Sequence, residues 1–243
     1  MKPNRMIAWL LMPVLLAGCA TPKRTAFQAA PGYNGETPAA KRIGVIVDAH
    51  VTYTKALLPP TPADRAEATA LQTRGIENVQ AGINRALAAR GYTVVMLPLD
   101  DDARAVLKEY YAVRGDSLVR PFLDAGGKIG RVAALPAAAA LAAKAGVDGI
   151  VIVNGRDAKA TTGAVVVFAV VMALAVVATA AAISGGSPAP VLPGPAPYDA
   201  DFAFIGRAGK IEFYERANMA VLNRNSVQRA NTRFSYDLAA PPH

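Results

Sequence analysis

Lys41-Arg42-Ile43-Gly44-Val45-Ile46-Val47 is the stretch that decides the fold. Its run of β-branched residues, bounded by a basic pair, predicts a buried strand. The strand can continue as far as residue 53, and the prolines at positions 59, 60 and 62 end it. Ordered structure is therefore predicted to begin at Lys41.

A helix and a second strand are predicted to follow. Apolar residues recur at helical spacing at Ile76, Val79, Ile83 and Leu87. Gly91 is the candidate C-cap of this helix. Tyr92-Thr93-Val94-Val95-Met96-Leu97 predicts the second strand, so residues 43–97 predict a βαβ unit.

The rest of the body is predicted from the same patterns. Asp100-Asp101-Asp102 is placed to cap a helix at residues 103–113, and short helical pieces continue to residue 123. An alanine-rich helix is predicted over residues 132–145, with Gly146 at its end. The later elements are a strand at 147–153, a hairpin that pairs 201–205 with 211–215, and a terminal helix at 226–238.

These elements predict an α/β fold, a small mixed sheet with flanking helices, a βαβ start and a C-terminal hairpin. One long apolar segment, whose core is residues 164–183, is predicted to be helical. Twenty residues of helix span about 30 Å, the thickness of the hydrocarbon layer. The same composition also fits a helix buried in protein, a helical hairpin in one leaflet, or apolar strands inserted by an oligomer.

The N-terminal apolar segment ends in Leu16-Ala17-Gly18-Cys19, and Cys19 is the only cysteine in the chain. A basic start at Lys2 and Arg5, a short apolar core and small residues before the cysteine are typical of a signal peptide. The motif resembles the lipobox of bacterial lipoproteins, which implies cleavage before Cys19 and a lipid on its sulfur. Ala20 replaces the aspartate that resembles an inner-membrane retention signal. The expected location is therefore the periplasmic face of the outer membrane, with the inner membrane as the alternative.

The chain is accordingly divided into six parts. They are a signal peptide (1–18), a flexible tether (19–40), an α/β domain (41–160), an apolar segment that contacts membrane or is buried (163–183), a Pro- and Gly-rich linker (184–198), and a hairpin with a C-terminal tail that completes the domain (199–243). Removal of the signal peptide lowers the formal charge from +8 to +6. The basic residues are scattered and form no nucleic-acid motif, so no nucleic acid is expected as a partner.

The body also carries cues of a family. They are Arg90-Gly91-Tyr92, Ala145-Gly146-Val147-Asp148-Gly149 and the hairpin near Gly206. On these residues the chain is similar to the curli-secretion and neisserial outer-membrane lipoprotein families, which implies a small periplasmic α/β domain tethered by a lipidated cysteine. The hairpin turn Gly206-Arg207-Ala208-Gly209-Lys210 departs from the family pattern, because it lacks the aspartate and tryptophan that such hairpins often carry.

Few residues suggest catalysis. His50 follows Asp48 by two residues near the end of the first strand, where ligands bind in open α/β sheets. A half-exposed polar residue leaving the strand is the plainer interpretation. Tyr110 and Tyr111 are predicted to form an aromatic pair with one ring in the core and the other at its rim, and His243 is predicted to lie in a frayed end.

Other classes of site lack their motifs. Once Cys19 is acylated, no thiol is left for nucleophilic catalysis or for a metal site. Gly127-Lys128 and Gly209-Lys210 fail the phosphate-loop pattern, and the consecutive carboxylates at 100–102 lack the spacing of a calcium loop. The sequence therefore predicts no enzyme, no metal and no cofactor.

We expect a lipid-anchored envelope lipoprotein that faces the periplasm and whose α/β domain is a non-enzymatic assembly or interaction module. Its expected partners are membrane lipid, through Cys19, and an envelope protein or a second copy of itself. The alternative is an oligomeric secretion or pore accessory that inserts residues 164–183 into the membrane. A hydrolase built on His50 and Asp48 is a third hypothesis.

Overall fold

Six strands and four α-helices form the part of the chain that the structure describes. The computed structural model describes residues 24–30, 33, 42–53, 61–119, 134–159 and 199–239. The strands are β1 (Arg24–Ala29), β2 (Arg42–Tyr53), β3 (Thr93–Met96), β4 (Gly149–Lys159), β5 (Asp199–Gly206) and β6 (Ile211–Ala217). The helices are α1 (Pro62–Ala88), α2 (Asp101–Val113), continued by a π-helix (Arg114–Val119), α3 (Pro136–Ala145) and α4 (Arg224–Ala239).

The sheet is mixed, with the strand order β1-β6-β5-β4-β2-β3. β2 is parallel to both β3 and β4, whereas β4, β5, β6 and β1 are antiparallel in succession. The predicted α/β fold, its βαβ start and its C-terminal hairpin are therefore confirmed. β2 and β4 stay paired as far as Tyr53 and Lys159, well past the last pair of β2 with β3 at Val45 and Met96.

Helices cover both faces of the sheet, and successive strand residues point to opposite faces. α1 and α4 cover one face, which we call the α1/α4 face, and α2 and α3 cover the α2/α3 face. The α1/α4 core includes Val45, Val47, Ile83, Phe202, Phe213 and Phe234, and the α2/α3 core includes Ile46, Val106, Leu141, Ile152 and Tyr214. Each helix is thus held by apolar burial against one side of a shared sheet.

α1 begins in a capping box formed by Thr61 and Asp64. The Thr61 hydroxyl accepts the Asp64 N–H at 3.1 Å, and the Asp64 carboxylate accepts the Thr61 N–H at 2.9 Å. The predicted helix is confirmed, but it ends at Ala88 with Ala89 as its C-cap. Gly91, predicted as the cap, lies two residues later with a φ of 83°. It therefore serves the turn into β3, where a positive φ favours glycine.

The helix boundaries on the other face are partly as predicted. The Asp100 carboxylate caps α2 by accepting the Ala103 N–H at 3.0 Å, which confirms the predicted acidic cap. The predicted helix over residues 132–145 begins too early, because helical backbone starts only at Pro136. Proline lacks an N–H and fits the first helical position, where that donor is not needed. Gly146 ends the helix as predicted, with a φ of 62°.

α1 and α4 lie side by side and run parallel. The Asn78 side-chain oxygen accepts from the Arg224 Nε at 3.2 Å. Twelve residues beyond each of these positions, the Arg90 guanidinium lies 3.2 Å from the centre of the Tyr236 ring. Because α1 has 27 residues and α4 has 16, the first turns of α1 extend past the start of α4.

β1 was not expected from the sequence. Its residues fall within 19–40, the predicted flexible tether, and they pair with β6. The tether prediction is therefore wrong for Arg24–Ala29. A six-residue segment with no run of β-branched residues gains its structure from hydrogen bonds to the edge of β6, a strand far away in sequence.

Several predictions lie outside the described residues. They are the signal peptide with Cys19, the helical pieces after residue 119, the apolar segment 163–183, the linker 184–198 and His243. No helix within the described ranges is long and apolar enough to cross a membrane.

Candidate functional site

The carboxyl ends of the parallel strands β2 and β4 lie at one edge of the sheet, which we call the carboxyl edge. β5 and β1 begin at the same edge, and β6 ends there. A row of paired residues crosses the sheet at this level: Ala49, Gly155, Ala200, Ala217 and Arg24. Ligands of open α/β sheets bind at such an edge.

Four polar residues form the neighbouring row of the sheet, one on each strand. Asp48 on β2 pairs with Asn154 on β4, Asn154 pairs with Asp201 on β5, and Asp201 pairs with Arg216 on β6. Ile46 lies two residues before Asp48, and Ile152 lies two residues before Asn154. Both isoleucines pack in the α2/α3 core. The polar row therefore lies on the α2/α3 face, where the apolar core gives way to the carboxyl edge.

Asp201 is the centre of this polar cluster and is 1% exposed. Arg114, the first residue of the π-helix, binds its Oδ2 with both Nε and Nη2. The Tyr214 hydroxyl donates to Oδ1 at 2.8 Å, and the Asn154 side-chain amide donates to Oδ2 at 3.2 Å. The Arg216 Nε lies 3.8 Å from Oδ1. Two arginines and two neutral donors thus compensate a buried carboxylate.

Asp48 forms a second, more open part of the cluster. The Tyr111 hydroxyl donates to its Oδ2, and the His50 Nε2 lies 2.8 Å from its Oδ1. The His50 side chain is 49% exposed, so the contact leaves much of the imidazole ring open to solvent. Arg156, the strand partner of His50 on β4, is also exposed.

The tyrosines of the cluster stay protonated. Burial is the main cause that raises the pKa of Tyr110, Tyr111 and Tyr214. For Tyr110 and Tyr214 the charge of Asp201 raises the pKa further, and for Tyr111 its hydrogen bond to Asp48 does so. These phenols therefore serve as hydrogen-bond donors and are unsuited to accept a proton near neutral pH.

Two buried atoms keep unused hydrogen-bonding capacity. The Tyr110 hydroxyl and the Asn154 Oδ1 have no hydrogen-bond partner among the residues that the structure describes. Both side chains are almost fully buried, at 0% and 2% exposed. A phenol that can donate and an amide oxygen that can accept are therefore still open to further polar partners.

The arrangement favours anchoring over chemistry. Its two carboxylates are engaged by donors from α2, the π-helix and β6, so the cluster ties the end of α2 to three strands. The exception is His50, whose ring is oriented by a carboxylate as in an acid–base pair. Within the described ranges, no group of three or more His, Cys, Asp or Glu residues is placed to hold a metal ion.

The structure brings together some of the residues singled out from the sequence. Asp48 and His50 are in contact at the end of β2. The core-and-rim pair is confirmed, because Tyr110 is fully buried, Tyr111 is partly exposed, and their ring centres are 5.5 Å apart. The carboxylates at 100–102 lie elsewhere, at the start of α2.

Sequence reasoning missed Asp201, Asn154 and Arg114. One signal was available, since Ile46-Val47-Asp48 and Ile152-Val153-Asn154 each end an apolar strand run with a polar residue. In adjacent parallel strands such residues lie side by side. Asp201 also bounds an apolar strand run, but its place beside Asn154 depends on a register that spans residues 160–198 of the chain.

The chain matches no protein-family model, and no curated protein matches it at a significant level.

Proposed function

We propose that this chain is a lipid-anchored envelope lipoprotein whose α/β domain is a non-enzymatic assembly or interaction module. The observation that carries the proposal is Leu16-Ala17-Gly18-Cys19 at the end of a short apolar segment. A stable anchor of this type needs more than one acyl chain, since a single chain gives only marginal binding. Its expected place is the periplasmic face of the outer membrane.

The polar cluster supports a role in binding rather than catalysis. Arg114 and Arg216 surround the charge of Asp201, and the Tyr111 hydroxyl donates to Asp48. Such a network fixes the position of the end of α2 on the sheet and keeps this part of the surface rigid. A rigid surface is what an assembly module offers a partner, because little entropy is lost on binding.

The pairing of β4 with β5 constrains how the apolar segment meets a membrane. The two strands pair from Gly149 and Gly206 to Arg156 and Asp199, so both ends of residues 160–198 lie on the same side of any bilayer. A single crossing by residues 164–183 would have to be followed by a return of the linker 184–198. That linker contains five prolines, and an extended backbone in lipid leaves its polar groups unsatisfied. One long transmembrane helix is therefore disfavoured.

A second candidate function is an oligomeric secretion or pore accessory that inserts residues 164–183. It is favoured by the position of Lys159 and Asp199, which flank the segment at the same edge where β1 begins, five residues after Cys19. An insertion that enters and leaves from one side is compatible with that geometry. The two candidates share the lipid anchor and differ in whether protein also enters the bilayer.

Membrane fractionation separates these functions. The forms compared are the wild type, a deletion of 164–183, and a Cys19→Ser form exported from a cleavable secretory signal, with and without that deletion. The leading proposal expects acylated wild type and deletion forms in the membrane fraction and both Cys19→Ser forms in the soluble fraction. Mass spectrometry of the N-terminal peptide reports the acyl chains directly.

The opposite outcomes are equally clear. If Cys19→Ser stays in the membrane until residues 164–183 are removed, the insertion candidate is supported. An unacylated N-terminus in the wild type would overturn both.

A further inference from the structure

The register of β1 limits how far the body can stand from its anchor. Arg24, the first residue of β1, pairs with Ala217 at the carboxyl edge. Only residues 20–23 separate it from Cys19. A fully extended chain spans at most about 3.6 Å per residue, so the five residue steps from Cys19 to Arg24 span about 18 Å at most.

We propose that the carboxyl edge faces the phospholipid surface that holds the acyl chains of Cys19, and that the β5–β6 turn points away from it. The proposal rests on the proposed lipid anchor and adds the orientation of the domain. Its docking partner is the phospholipid leaflet itself.

The opposite orientation, with the β5–β6 turn on the membrane, does not fit the length of residues 20–23. Ala200 lies at the level of Arg24, and β5 continues for six residues to Gly206 before the turn at Ala208. At about 3.3 Å per strand residue, the turn lies about 25 Å from that level. A domain resting on this turn would hold Arg24 about 25 Å above the membrane, beyond the reach of residues 20–23.

The parts that project from the carboxyl edge match the same length. Gly75 of α1 lies against Val221, and Val221 lies against Gly155 of the row that crosses the sheet. Residues 62–74 of α1 therefore lie beyond that row, and they measure about 20 Å along the helix axis at 1.5 Å per residue. The paired ends of β2 and β4 extend four residues past it, about 13 Å. We call residues 62–74 of α1 and the paired ends of β2 and β4 the tip. A connection of up to about 18 Å is thus long enough for the acyl chains to enter a membrane that the tip contacts.

The tip presents exposed polar groups from three elements. They include Arg65 and Thr69 on α1, His50 on β2 and Arg156 on β4. Arg65, Arg74 and Arg156 suit the phosphates of anionic lipid headgroups. They outnumber Glu67, which is also exposed on this stretch of α1. Charge complementarity therefore acts in the same direction as the short connection.

A matched pair of cysteine substitutions tests the orientation. Ala70→Cys lies on the exposed side of the α1 tip, and Ala208→Cys lies in the exposed β5–β6 turn. Each provides the only free thiol, because Cys19 is the only native cysteine and the proposed anchor acylates its sulfur. The full acylated protein is labelled with a fluorophore and reconstituted in phosphatidylethanolamine–phosphatidylglycerol vesicles that carry a headgroup nitroxide quencher.

We expect the Ala70→Cys label to be quenched at least about threefold more than the Ala208→Cys label, since about 30 Å separate their levels. Inserting 20 Gly/Ser residues between Pro22 and Lys23 should keep the protein on vesicles and reduce the difference between the labels, because a flexible chain of that length reaches about 25 Å on average. Equal quenching without the insertion, as for a domain on its side, or stronger quenching at Ala208→Cys would overturn the inference. Vesicle flotation in the same samples reports the anchor separately, so a failed orientation is distinct from a failed lipid anchor.

Discussion

Asp201→Asn is the sharpest test of the polar cluster. The substitution keeps the shape of a side chain that is 1% exposed but removes the charge that Arg114 and Arg216 surround. It also places an amide donor where every neighbouring group donates. Removing one partner of a buried ion pair costs about 3–5 kcal/mol, because the remaining charge is left uncompensated. The Arg114 side chain is 19% exposed and can be partly rehydrated, so we expect the lower end, about 3 kcal/mol.

Urea unfolding of the protein in detergent measures this loss. Trp9, the only tryptophan, lies in the predicted signal peptide, so far-UV circular dichroism follows the transition. With a slope of about 2 kcal/mol per molar urea, the midpoint should fall by about 1.5 M. The matched control is Asp102→Asn, which removes an exposed ion pair to Lys144 and should leave the midpoint almost unchanged. If the two variants unfold at the same urea concentration, the cluster does not anchor α2 as we argue.

Three further predictions follow from the described contacts. Burial raises the pKa of Tyr110, Tyr111 and Tyr214, so above pH 10 these tyrosines keep their protons in the folded state and lose them on unfolding; the free energy of unfolding should therefore fall as pH rises above 10. In a pH titration followed by absorbance at 295 nm, their ionisation should appear as a delayed phase. Gly155→Ala should lower the free energy of unfolding in urea by about 1–3 kcal/mol, because the added Cβ would overlap the Val221 side chain. Gly115→Ala, which has open space around it, should cause no such loss, and in a double-mutant cycle Val221→Ala should reduce the cost of Gly155→Ala. Glu109→Gln should cost about 1 kcal/mol or less, because the Glu109 carboxylate accepts the Ala137 N–H at 2.9 Å and caps α3 from another helix; an unchanged midpoint for Glu109→Ala would contradict this role.

The central part of the fold was predictable because its signals are local. β2, β3 and β4 are runs of β-branched residues, and α1 carries both a helical apolar period and a capping sequence at Thr61. Each of these patterns can be recognised within one turn or one strand of the chain. They fixed the βαβ start and the hairpin, although the limits of individual helices differ by a few residues.

The edge strand and the centre of the polar cluster were not predictable for the opposite reason. β1 depends on hydrogen bonds to β6, and Asp201 depends on its register with Asn154 and on Arg114 in the π-helix. These partners are far apart in sequence, and register between distant strands is set by packing rather than by local composition. His50 and Asp48 were predictable as neighbours because alternate residues of one strand share a face.

The pairing of β1 with β6 also sets an order of events during folding. Arg24 is synthesised 193 residues before its partner Ala217. Contacts between such distant segments form late, because a long loop must close first. β1 can therefore pair only after β6 has been made. If the proposed lipid anchor holds, completion of the sheet is the step that draws the domain toward it, and a chain truncated before β6 would leave β1 without its partner strand.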